Sequence, residues 1–588
     1  MDFNFRRIDL LKPEQIPGDK LNKTSIILIA LGIIYQFAYI FQGLDFADTG
    51  FHLTAYQQIF NNPESVHYSF MFWLSSVFGG LIMKLHPEGG LFCNRIYVIA
   101  NYTLMFAVYY TMLKTIIPKN KAITLLFISL LFFQHSGFET LNYDSFSILF
   151  YSIAIYFFYK GILKNSNLLL ICGAFICGMM FYFRITNLAN IALLALTLYL
   201  IYLQNKNILQ TFKKSLLLIT GYNLGHALIL LSMYLMNHLN LFAENLQFVL
   251  SMGQDSSSTH GMIPLMKQYA RGWVIALFMG AAFISLLYLY HRISKTIKLH
   301  NYILHSLLII VSISLLIVLI MHPNATWSKV RYIFYGLIAY SAIAAFFISD
   351  IKLKSLLLFG SFTCFLFPLG SDSGIEKVYY AIGLSGPIVF FILNKYVKIQ
   401  NWSLIKKYLL GIFITSCLVY GFTNTYFDEG SRLNKTYSVK HSGLKNIYTT
   451  KERAKVIDEL TGEIRSCIKK DDYLLAISGI PMIHYLSQSK PYLGTSWPKL
   501  YYAPAIFKSE LEKAFATKRL LPVIIMQKMA TGTNWPMNIT PDYLKPDTKN
   551  NKFTEHYQIV FEFMTKNSYS KHWENDMFII YLPKNNRY

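Results

Sequence analysis

The sequence predicts a polytopic α-helical membrane protein, with about thirteen transmembrane helices, that ends in an extracytoplasmic α/β domain. Three observations support this fold class. Hydrophobic residues make up 54% of the 588-residue chain and the mean hydropathy is +0.36, and soluble domains seldom have such a composition. Apolar runs long enough to cross a bilayer recur along residues 24–422. From residue 423 onwards the composition becomes that of a soluble domain.

The distribution of Lys and Arg sets the predicted orientation. Residues 1–23 carry several cations, which marks them as cytoplasmic. The first apolar segment, residues 24–42, is too long for a signal-peptide core and lacks a cleavage site of small residues, so we expect a retained anchor. An odd number of spans then places the C-terminal part outside the cytoplasm. The predicted domains are a cytoplasmic N-terminus (1–23), a transmembrane domain (24–422) and an extracytoplasmic α/β domain (423–588).

Each further apolar run predicts one span with cations at its cytoplasmic end. Ser69–Met83 is shorter and ends before Pro87, so it predicts a helix on the outer membrane surface. The formal net charge of +23 is spread between the runs and forms no basic patch, which argues against nucleic-acid binding. The other predicted spans cover residues 95–113, 122–133, 146–159, 168–183, 188–203, 216–236, 273–290, 303–321, 332–348, 355–369, 378–393 and 408–422.

In the C-terminal domain, helix and strand patterns alternate, which predicts a small α/β layer structure. The expected helices cover residues 452–468, 481–487 and 504–516, and the expected strands cover 473–478, 522–526, 556–563 and 577–582. No glycine-rich phosphate loop follows a predicted strand, so the sequence indicates no nucleotide site. The six cysteines show neither metal-ligand spacing nor a disulfide framework.

The loop after the first span contains the strongest candidates for a functional site. Asp45, Asp48 and His52 lie close together in it, and no Lys or Arg follows before Tyr68. Carboxylates at a membrane boundary can act as a general base or ligate a divalent cation. Asp45 could instead orient the loop or cap a helix. His52 is one helical turn after Asp48, and it could contact substrate or hydrogen-bond to that residue.

Further polar groups fall in the second and third outer connections. Glu139 lies in the second connection, and Asp144 begins the span that follows it, where it is either a functional acid or a helix cap. Arg184 lies between two apolar runs, where it either lines a cavity and binds phosphate or extends towards the interface.

The later outer connections contribute cations. Lys329 and Arg331 either bind phosphate or simply flank a span. His260 lies in a predicted polar loop, residues 244–261, which either closes over a bound donor or leaves the histidine exposed. Acids in early loops and cations in later ones suit a phosphate-bearing donor lipid, because a carboxylate can deprotonate an acceptor hydroxyl while cations stabilise the departing phosphate.

At Asp48 the chain resembles the GT-C superfamily of polyprenyl-phosphate-dependent glycosyltransferases, which includes protein O-mannosyltransferases, the aminoarabinose transferase of lipid A and the oligosaccharyltransferase catalytic subunit. In that superfamily an acidic pair, commonly Asp-Glu, opens the first outer loop and an aromatic residue follows. Asp48 matches the Asp, whereas Thr49 replaces the Glu. The surface helix Ser69–Met83, Arg95, Asp144 and the outward C-terminal domain also resemble the superfamily.

The resemblance implies sugar transfer from a polyprenyl-phosphate donor. Either Asp45 replaces the missing second acid, so that Asp45 and Asp48 bind a divalent cation (Mg or Mn), or the enzyme relies on Lys and Arg without a metal. The expected site residues are Asp48 and Asp45 for catalysis; Arg184, Lys329, Arg331 and His260 for the donor phosphate; and His52, Asp144 and Glu139 for the acceptor or other contacts.

The hypothesis is therefore a multi-pass glycosyltransferase that moves a sugar to an acceptor hydroxyl on a lipid, glycan or protein, with Asp48 as general base. Abundant Lys, Asn, Ile and Tyr indicate an AT-rich genome, and we expect a bacterial inner membrane with the C-terminal domain in the periplasm. The alternatives are an envelope polysaccharide polymerase or ligase, a lipid-linked sugar transporter or flippase, and a non-catalytic membrane scaffold.

Overall fold

A computed structural model shows a large helical part followed by a smaller domain built on a β-sheet. The structure describes residues 20–133, 140–254, 261–296, 301–321, 323–396, 402–498, 503–531, 535–536 and 554–584. The helical part has one large apolar core, and the sheet domain has an apolar core on each face of its sheet.

Every span predicted from the sequence overlaps a helix. Among the described residues, eight helices are long and apolar enough to cross a membrane, and three shorter apolar helices accompany them. The chain is therefore a polytopic helical membrane protein. The helices of this part are α1 (Lys23–Phe37), α2 (Asp48–Gln58), α3 (Trp73–Leu85), α4 (Gly90–Leu113), α5 (Lys119–Phe133), α6 (Tyr143–Lys164), α7 (Asn167–Met180), α8 (Ile191–Asn205), α9 (Ile208–Leu235), α10 (Leu239–Gln254), α11 (Met262–Thr296), α12 (Asn301–Met321), α13 (Pro323–Phe346), α14 (Ile351–Leu366), α15 (Val378–Tyr396) and α16 (Trp402–Thr423).

Small residues let these helices pack closely where apolar burial gives little driving force. At the crossing of α7 and α9, a Cβ on Gly178 would lie 2.1 Å from the carbonyl oxygen of Tyr222, and a Cβ on Gly225 would lie 2.1 Å from that of Phe175. Only glycine fits at either position, so the two backbones touch.

The prediction of a polar loop over residues 244–261 is wrong for residues 244–254, because α10 continues to Gln254. Phe242 is buried, and Asn245 is fully buried and donates to the carbonyl oxygen of Tyr68 at 2.9 Å. Phe248 lies 4.5 Å from the Tyr68 ring, measured between centroids. Residues spaced every three positions therefore form one face of α10, which packs on the segment before α3. The polar residues between them hide this helical spacing in the sequence.

The strands of the C-terminal domain are β1 (Tyr437–Ser438), β2 (Tyr448–Thr449), β3 (Tyr473–Ile477), β4 (Lys490–Pro491), β5 (Val523–Gln527), β6 (Tyr569–Glu574) and β7 (Phe578–Pro583). Five of them form a sheet in the order β4-β3-β5-β7-β6, in which β4, β3 and β5 are parallel, β7 is antiparallel to β5, and β6 is antiparallel to β7. A separate two-stranded ribbon pairs β1 with β2. The helices are α17 (Lys451–Cys467), α18 (Met482–Ser487), Pro504–Lys518 and Thr554–Lys566.

Most predicted elements of this domain are confirmed, but the strand expected at residues 556–563 is wrong. That segment is helical. Its buried residues Tyr557, Val560 and Phe563 recur every three residues, which places them on one face of a helix against the sheet. The prediction also missed β6, because its central residues are polar and exposed at the edge of the sheet.

The loop after α1 and the helix α2 pack against the apolar core of the C-terminal domain. Leu44, Phe46 and Leu53 belong to the same buried cluster as residues of α17, β3 and β5. The carbonyl oxygen of Phe46 accepts a hydrogen bond from the backbone N–H of Met482 at 3.0 Å. At Gly50 in α2, an added Cβ would lie 2.1 Å from the backbone nitrogen of Met482.

We therefore expect Gly50→Ala to destabilise the junction between α2 and α18 by about 1–3 kcal/mol, because the methyl group overlaps backbone atoms that cannot move aside. The measurement is the thermal unfolding midpoint of the purified protein in detergent. Gly462→Ala is the matched control: Gly462 also lies in a helix, and a Cβ there would meet nothing within 4 Å. Equal midpoints for the two variants would contradict the close approach.

Candidate active site

A central cavity of about 520 Å³ lies where α2, α6, the start of α15 and the segment after α16 converge. Polar groups and aromatic rings line it together. The charged residues in its wall are Asp48, Asp144, Arg331, Glu376, Lys377, Asp428 and Glu429, and the rings include His52, Tyr143, Tyr379, Tyr380, Tyr420 and Tyr426. This cavity brings together four of the residues predicted for the site: Asp48, His52, Asp144 and Arg331.

Asp48 is the first residue of α2 and is half-buried in the cavity wall. The hydroxyl of Tyr426 donates a hydrogen bond to its Oδ2 at 2.5 Å. Burial raises the pKa of Asp48, whereas the Tyr426 hydrogen bond and the charge of Lys377 lower it. The result is a cavity-facing carboxylate whose basicity depends on the phenol that contacts it.

Asp45 is not one of the residues that line the cavity, and its carboxylate holds the loop in place. It is 2% exposed, and its two oxygens accept hydrogen bonds from the backbone N–H groups of Ala47 at 2.8 Å and Thr49 at 2.6 Å. Burial raises the pKa of Asp45 to about 8, and the charge of Asp48 adds to this effect. These contacts match the loop-orienting interpretation, since they fix the start of α2 and so the direction of Asp48.

Arg95 fixes the same loop from α4. Its guanidinium is 2% exposed and donates to the carbonyl oxygens of Ile40 at 2.7 Å and Gly43 at 2.8 Å. The loop backbone is thus held at both ends by charged side chains.

Asp144 also lines the cavity and lies at the centre of a buried ion cluster. Lys377 Nζ donates to Asp144 Oδ2 at 2.6 Å and to the hydroxyl of Tyr143 at 2.9 Å. The cap of α6 is Asn142, whose side chain accepts from the backbone N–H of Ser145. The alternative that Asp144 caps α6 is therefore wrong, and its carboxylate instead pairs with Lys377.

Arg184 contacts the rear of this cluster and is not part of the cavity wall. Its guanidinium donates to the carbonyl oxygens of Phe367 at 2.9 Å and Leu369 at 3.3 Å, and it lies 3.6 Å from Asp144 Oδ1. Arg184 is buried, so it does not extend towards the membrane interface, which was the alternative prediction for this residue. The cations that do reach the cavity are Arg331 and Lys377, and Lys377 was not among the residues predicted for the site.

The remaining predicted residues are placed as follows. Arg331 lines the cavity and pairs with Glu376 at 2.7 Å. The side chain of Lys329, and all of His260 and Glu139, lie outside the described residues.

His52 lies among aromatic rings. It is 5% exposed, and its ring lies 5.3 Å from that of Tyr143 and 6.1 Å from those of Tyr56 and Phe72. Burial, together with the charge of Lys377, lowers the pKa of His52 to about 3. His52 is therefore neutral at physiological pH and contributes an aromatic surface to the cavity.

The two expected divalent-cation ligands do not both line the cavity. Both oxygens of Asp45 accept backbone hydrogen bonds, and Asp45 is not one of the lining residues. Within the described part of the chain, no group of three or more His, Cys, Asp or Glu side chains could hold a metal ion. We therefore assign no step of the chemistry to an Asp45–Asp48 metal site.

Asp428 connects the cavity to the C-terminal domain. It is fully buried, and it accepts hydrogen bonds from the guanidinium of Arg453 and, at 2.9 Å, from the backbone N–H of Leu44. Lys435 Nζ lies 3.9 Å from the same carboxylate. Arg453 also donates to the carbonyl oxygen of Trp535 at 2.7 Å. One carboxylate thus joins the first loop, the segment carrying Tyr426 and α17, and the sequence alone gave no sign of these partners.

No family model matches the sequence, and no curated protein matches it. Among solved structures, the chain is similar to the archaeal oligosaccharyltransferase AglB from Archaeoglobus fulgidus, solved in complex with an inhibitory peptide and a dolichol-phosphate. The TM-score is 0.44 at 12% sequence identity, over 86% of this chain and 69% of the other. Conclusions about the present chain therefore rest on its own residues.

Because Asp428 is fully buried with cationic partners, we expect Asp428→Asn to destabilise the protein by roughly 3–5 kcal/mol, the cost of leaving a buried guanidinium without its counter-charge. The measurement is again the thermal unfolding midpoint. In the control variant Glu562→Gln, an exposed pair with Lys508 is lost, and the expected effect is below about 1 kcal/mol. A midpoint for Asp428→Asn as high as that of the control would contradict the proposed linkage.

Proposed function

We propose that this protein is a membrane glycosyltransferase that moves a sugar from a polyprenyl-phosphate donor to an acceptor hydroxyl, with Asp48 as general base. The observation that carries the proposal is the position of the Asp48 carboxylate, which lines the same cavity as Lys377 and interacts with its charge. A base and a cation in one cavity suit a reaction in which a proton is removed while an oxyanion departs.

In the proposed reaction, the acceptor oxygen attacks the anomeric carbon of the sugar and its proton passes to Asp48. The bond between that carbon and the phosphate oxygen breaks on the opposite face, so that the configuration is inverted and polyprenyl phosphate leaves with the bonding electrons. Proton transfer to a positioned carboxylate contributes about 10²–10⁴-fold to such reactions.

Lys377 and Arg331 are the candidates for stabilising the departing phosphate. Each is already held by a carboxylate, Lys377 by Asp144 and Arg331 by Glu376. Two donors of the Lys377 ammonium go to Asp144 and Tyr143, and Nε of Arg331 has no hydrogen-bond partner among the described residues. Donors that are fixed before the substrate binds stabilise developing charge without reorganisation.

The sequence predicted that Arg184 binds the donor phosphate, and this proposal gives it a different role. Because it contacts Asp144 and two backbone carbonyls, it positions the cluster behind Lys377 instead of binding the donor directly. The aromatic side chains in the cavity wall offer flat apolar surfaces against which sugar rings can pack. Tyr143 lines the cavity, and its ring stacks on that of Phe72 with centroids 4.0 Å apart.

The proposal keeps the expected location, with the cavity on the outward face of a bacterial inner membrane and the C-terminal domain in the periplasm. The alignment of the cavity with the ends of the apolar helices α6 and α15 supports a site at one membrane surface. An acceptor on a lipid, a glycan or a protein is compatible with this position.

We expect Asp48→Asn to lower the rate of sugar transfer by about 10²–10⁴-fold, because the amide cannot take the acceptor proton. The assay uses purified protein, a panel of radiolabelled polyprenyl-phosphate sugars and acceptor-containing membrane extract, with and without EDTA. Asp458→Asn, on the surface-facing side of α17, is the control that keeps full activity.

Transfer by Asp48→Asn at the wild-type rate would remove Asp48 as base. Movement of intact donor across proteoliposomes without loss of its sugar would instead favour the flippase alternative. Loss of activity in EDTA that Mg or Mn restores would show a metal requirement that the Asp45–Asp48 pair does not explain.

Tyr426→Phe tests how the base is tuned. A general base works when deprotonated, so activity is present above its pKa and lost as the pH falls through it. The Tyr426 hydrogen bond lowers the pKa of Asp48, so its removal raises that pKa and shifts the acidic limb of the kcat/KM profile to higher pH. Tyr437→Phe, at a tyrosine that is 47% exposed, is the control. An unshifted acidic limb in Tyr426→Phe would contradict the contact.

A further inference from the structure

A second cavity, of about 330 Å³, lies beside the turn between α3 and α4, where these helices and α2 meet Tyr485 of the C-terminal domain. We call it the turn cavity. It shares no lining residue with the central cavity. Leu141, which precedes Asn142 of the central cavity, contacts two residues of the turn cavity: its carbonyl oxygen accepts a hydrogen bond from the hydroxyl of Tyr56, and its N–H donates to Asn94 Oδ1 at 2.7 Å.

The turn cavity differs from the central cavity in charge. Among the described residues that line it, Lys84 and His86 are the titratable basic groups, and no carboxylate is present. The Lys84 ammonium lies over the Phe60 ring, 3.9 Å from its centroid. Glu88 is nearby in sequence, but it is exposed and does not line the cavity. The local field therefore favours an anion.

Helix α4 adds to this field because its N-terminus opens on the turn cavity. Gly90 and Cys93, in the first turn of α4, both line it. The cap residue is Gly89, which has no side chain to accept from the first N–H groups, and the first turn carries no acid. Unsatisfied N–H groups and the helix dipole at such an end attract negative charge.

Asn94 supplies a second and independent observation. Its side chain is only 3% exposed, and its Oδ1 is used by Leu141. Its Nδ2 has no hydrogen-bond partner in the part of the chain that the structure describes. A buried amide donor without an acceptor costs about 1–3 kcal/mol unless a further group satisfies it.

We propose that the turn cavity binds a phosphate group, either the head group of a phosphate-bearing lipid or a free phosphate. Lys84, the first turn of α4 and Asn94 all line this one cavity, and each can offer positive charge or N–H donors. Leu81 and Leu85, on either side of Lys84, are 44% and 71% exposed and provide an apolar surface next to the head-group position. This site is independent of the reaction proposed for the central cavity.

The first experiment measures binding to the purified full-length protein in a neutral detergent. The probes are inorganic phosphate and dodecyl phosphate, with dodecyl maltoside as the uncharged comparison. We expect Lys84→Gln to weaken phosphate binding at least about tenfold, as for loss of a hydrogen bond to a charged group. Lys114→Gln is the matched control, because Lys114 follows the other end of α4 and also lies over a ring, that of Tyr110.

Cys93 gives a second measurement that does not depend on a variant. Its thiol lines the turn cavity, whereas Cys172, which is equally part-buried, lies in α7. At a probe concentration about ten times its Kd, modification of Cys93 by a methanethiosulfonate reagent is expected to slow about tenfold, with Cys172 unchanged. Peptide mapping by mass spectrometry reads the two sites separately.

Tighter binding of dodecyl phosphate than of inorganic phosphate would identify a lipid head group, and equal binding would identify free phosphate. Binding of neither probe to the wild type, or equal binding by Lys84→Gln and Lys114→Gln together with unprotected Cys93, would overturn the proposal. Protection of Cys93 and the comparison of Lys84→Gln with Lys114→Gln report on the turn cavity alone, whereas glycosyl transfer by Asp48→Asn reports on the central cavity, so failure of the proposed glycosyl transfer and failure of this site are separate results.

Discussion

The buried carboxylate of Asp428 is the contact on which the rest of the site depends. It joins the first loop at Leu44, the segment that carries Tyr426 and the guanidinium of Arg453 in α17. An ion pair in such a place is weak support for stability by itself, but removal of one partner is costly because the other charge stays buried. The position of Asp48 in the central cavity follows from this arrangement, since Tyr426 lies two residues before Asp428 and hydrogen-bonds to Asp48.

The central cavity contains charged side chains of both signs, and its cations are paired with carboxylates. Lys377 pairs with Asp144 and Arg331 pairs with Glu376, so each cation has a fixed orientation before a ligand arrives. The turn cavity shows the opposite arrangement, with Lys84 and a helix N-terminus but no carboxylate among its described lining residues. The first arrangement suits charge that develops during a reaction, whereas the second suits a ligand that is already an anion.

Features that depend on neighbouring residues, such as spans and secondary-structure elements, could be predicted from the sequence. Contacts between residues far apart in the chain could not. The spans and most elements of the C-terminal domain follow from apolar periodicity, and Asp48 follows from its loop and the GT-C resemblance. The helical period of Tyr557, Val560 and Phe563 was mistaken for a strand because a short apolar run fits both periods. Lys377 and Asp428 were missed because their roles depend on Asp144 and Arg453, which the fold brings to them.

The close approach of Gly50 to Met482 has a consequence for synthesis of the chain. Thr54, one turn after Gly50, hydrogen-bonds to the carbonyl oxygen of Pro481, a residue 427 positions further along. Helix α2 therefore emerges from the ribosome long before the surface that covers it. Until α18 has been made, the apolar side chains of the first loop lack part of the surface that covers them in the finished chain. The covering of this loop is consequently completed only after all of the membrane helices have been synthesised.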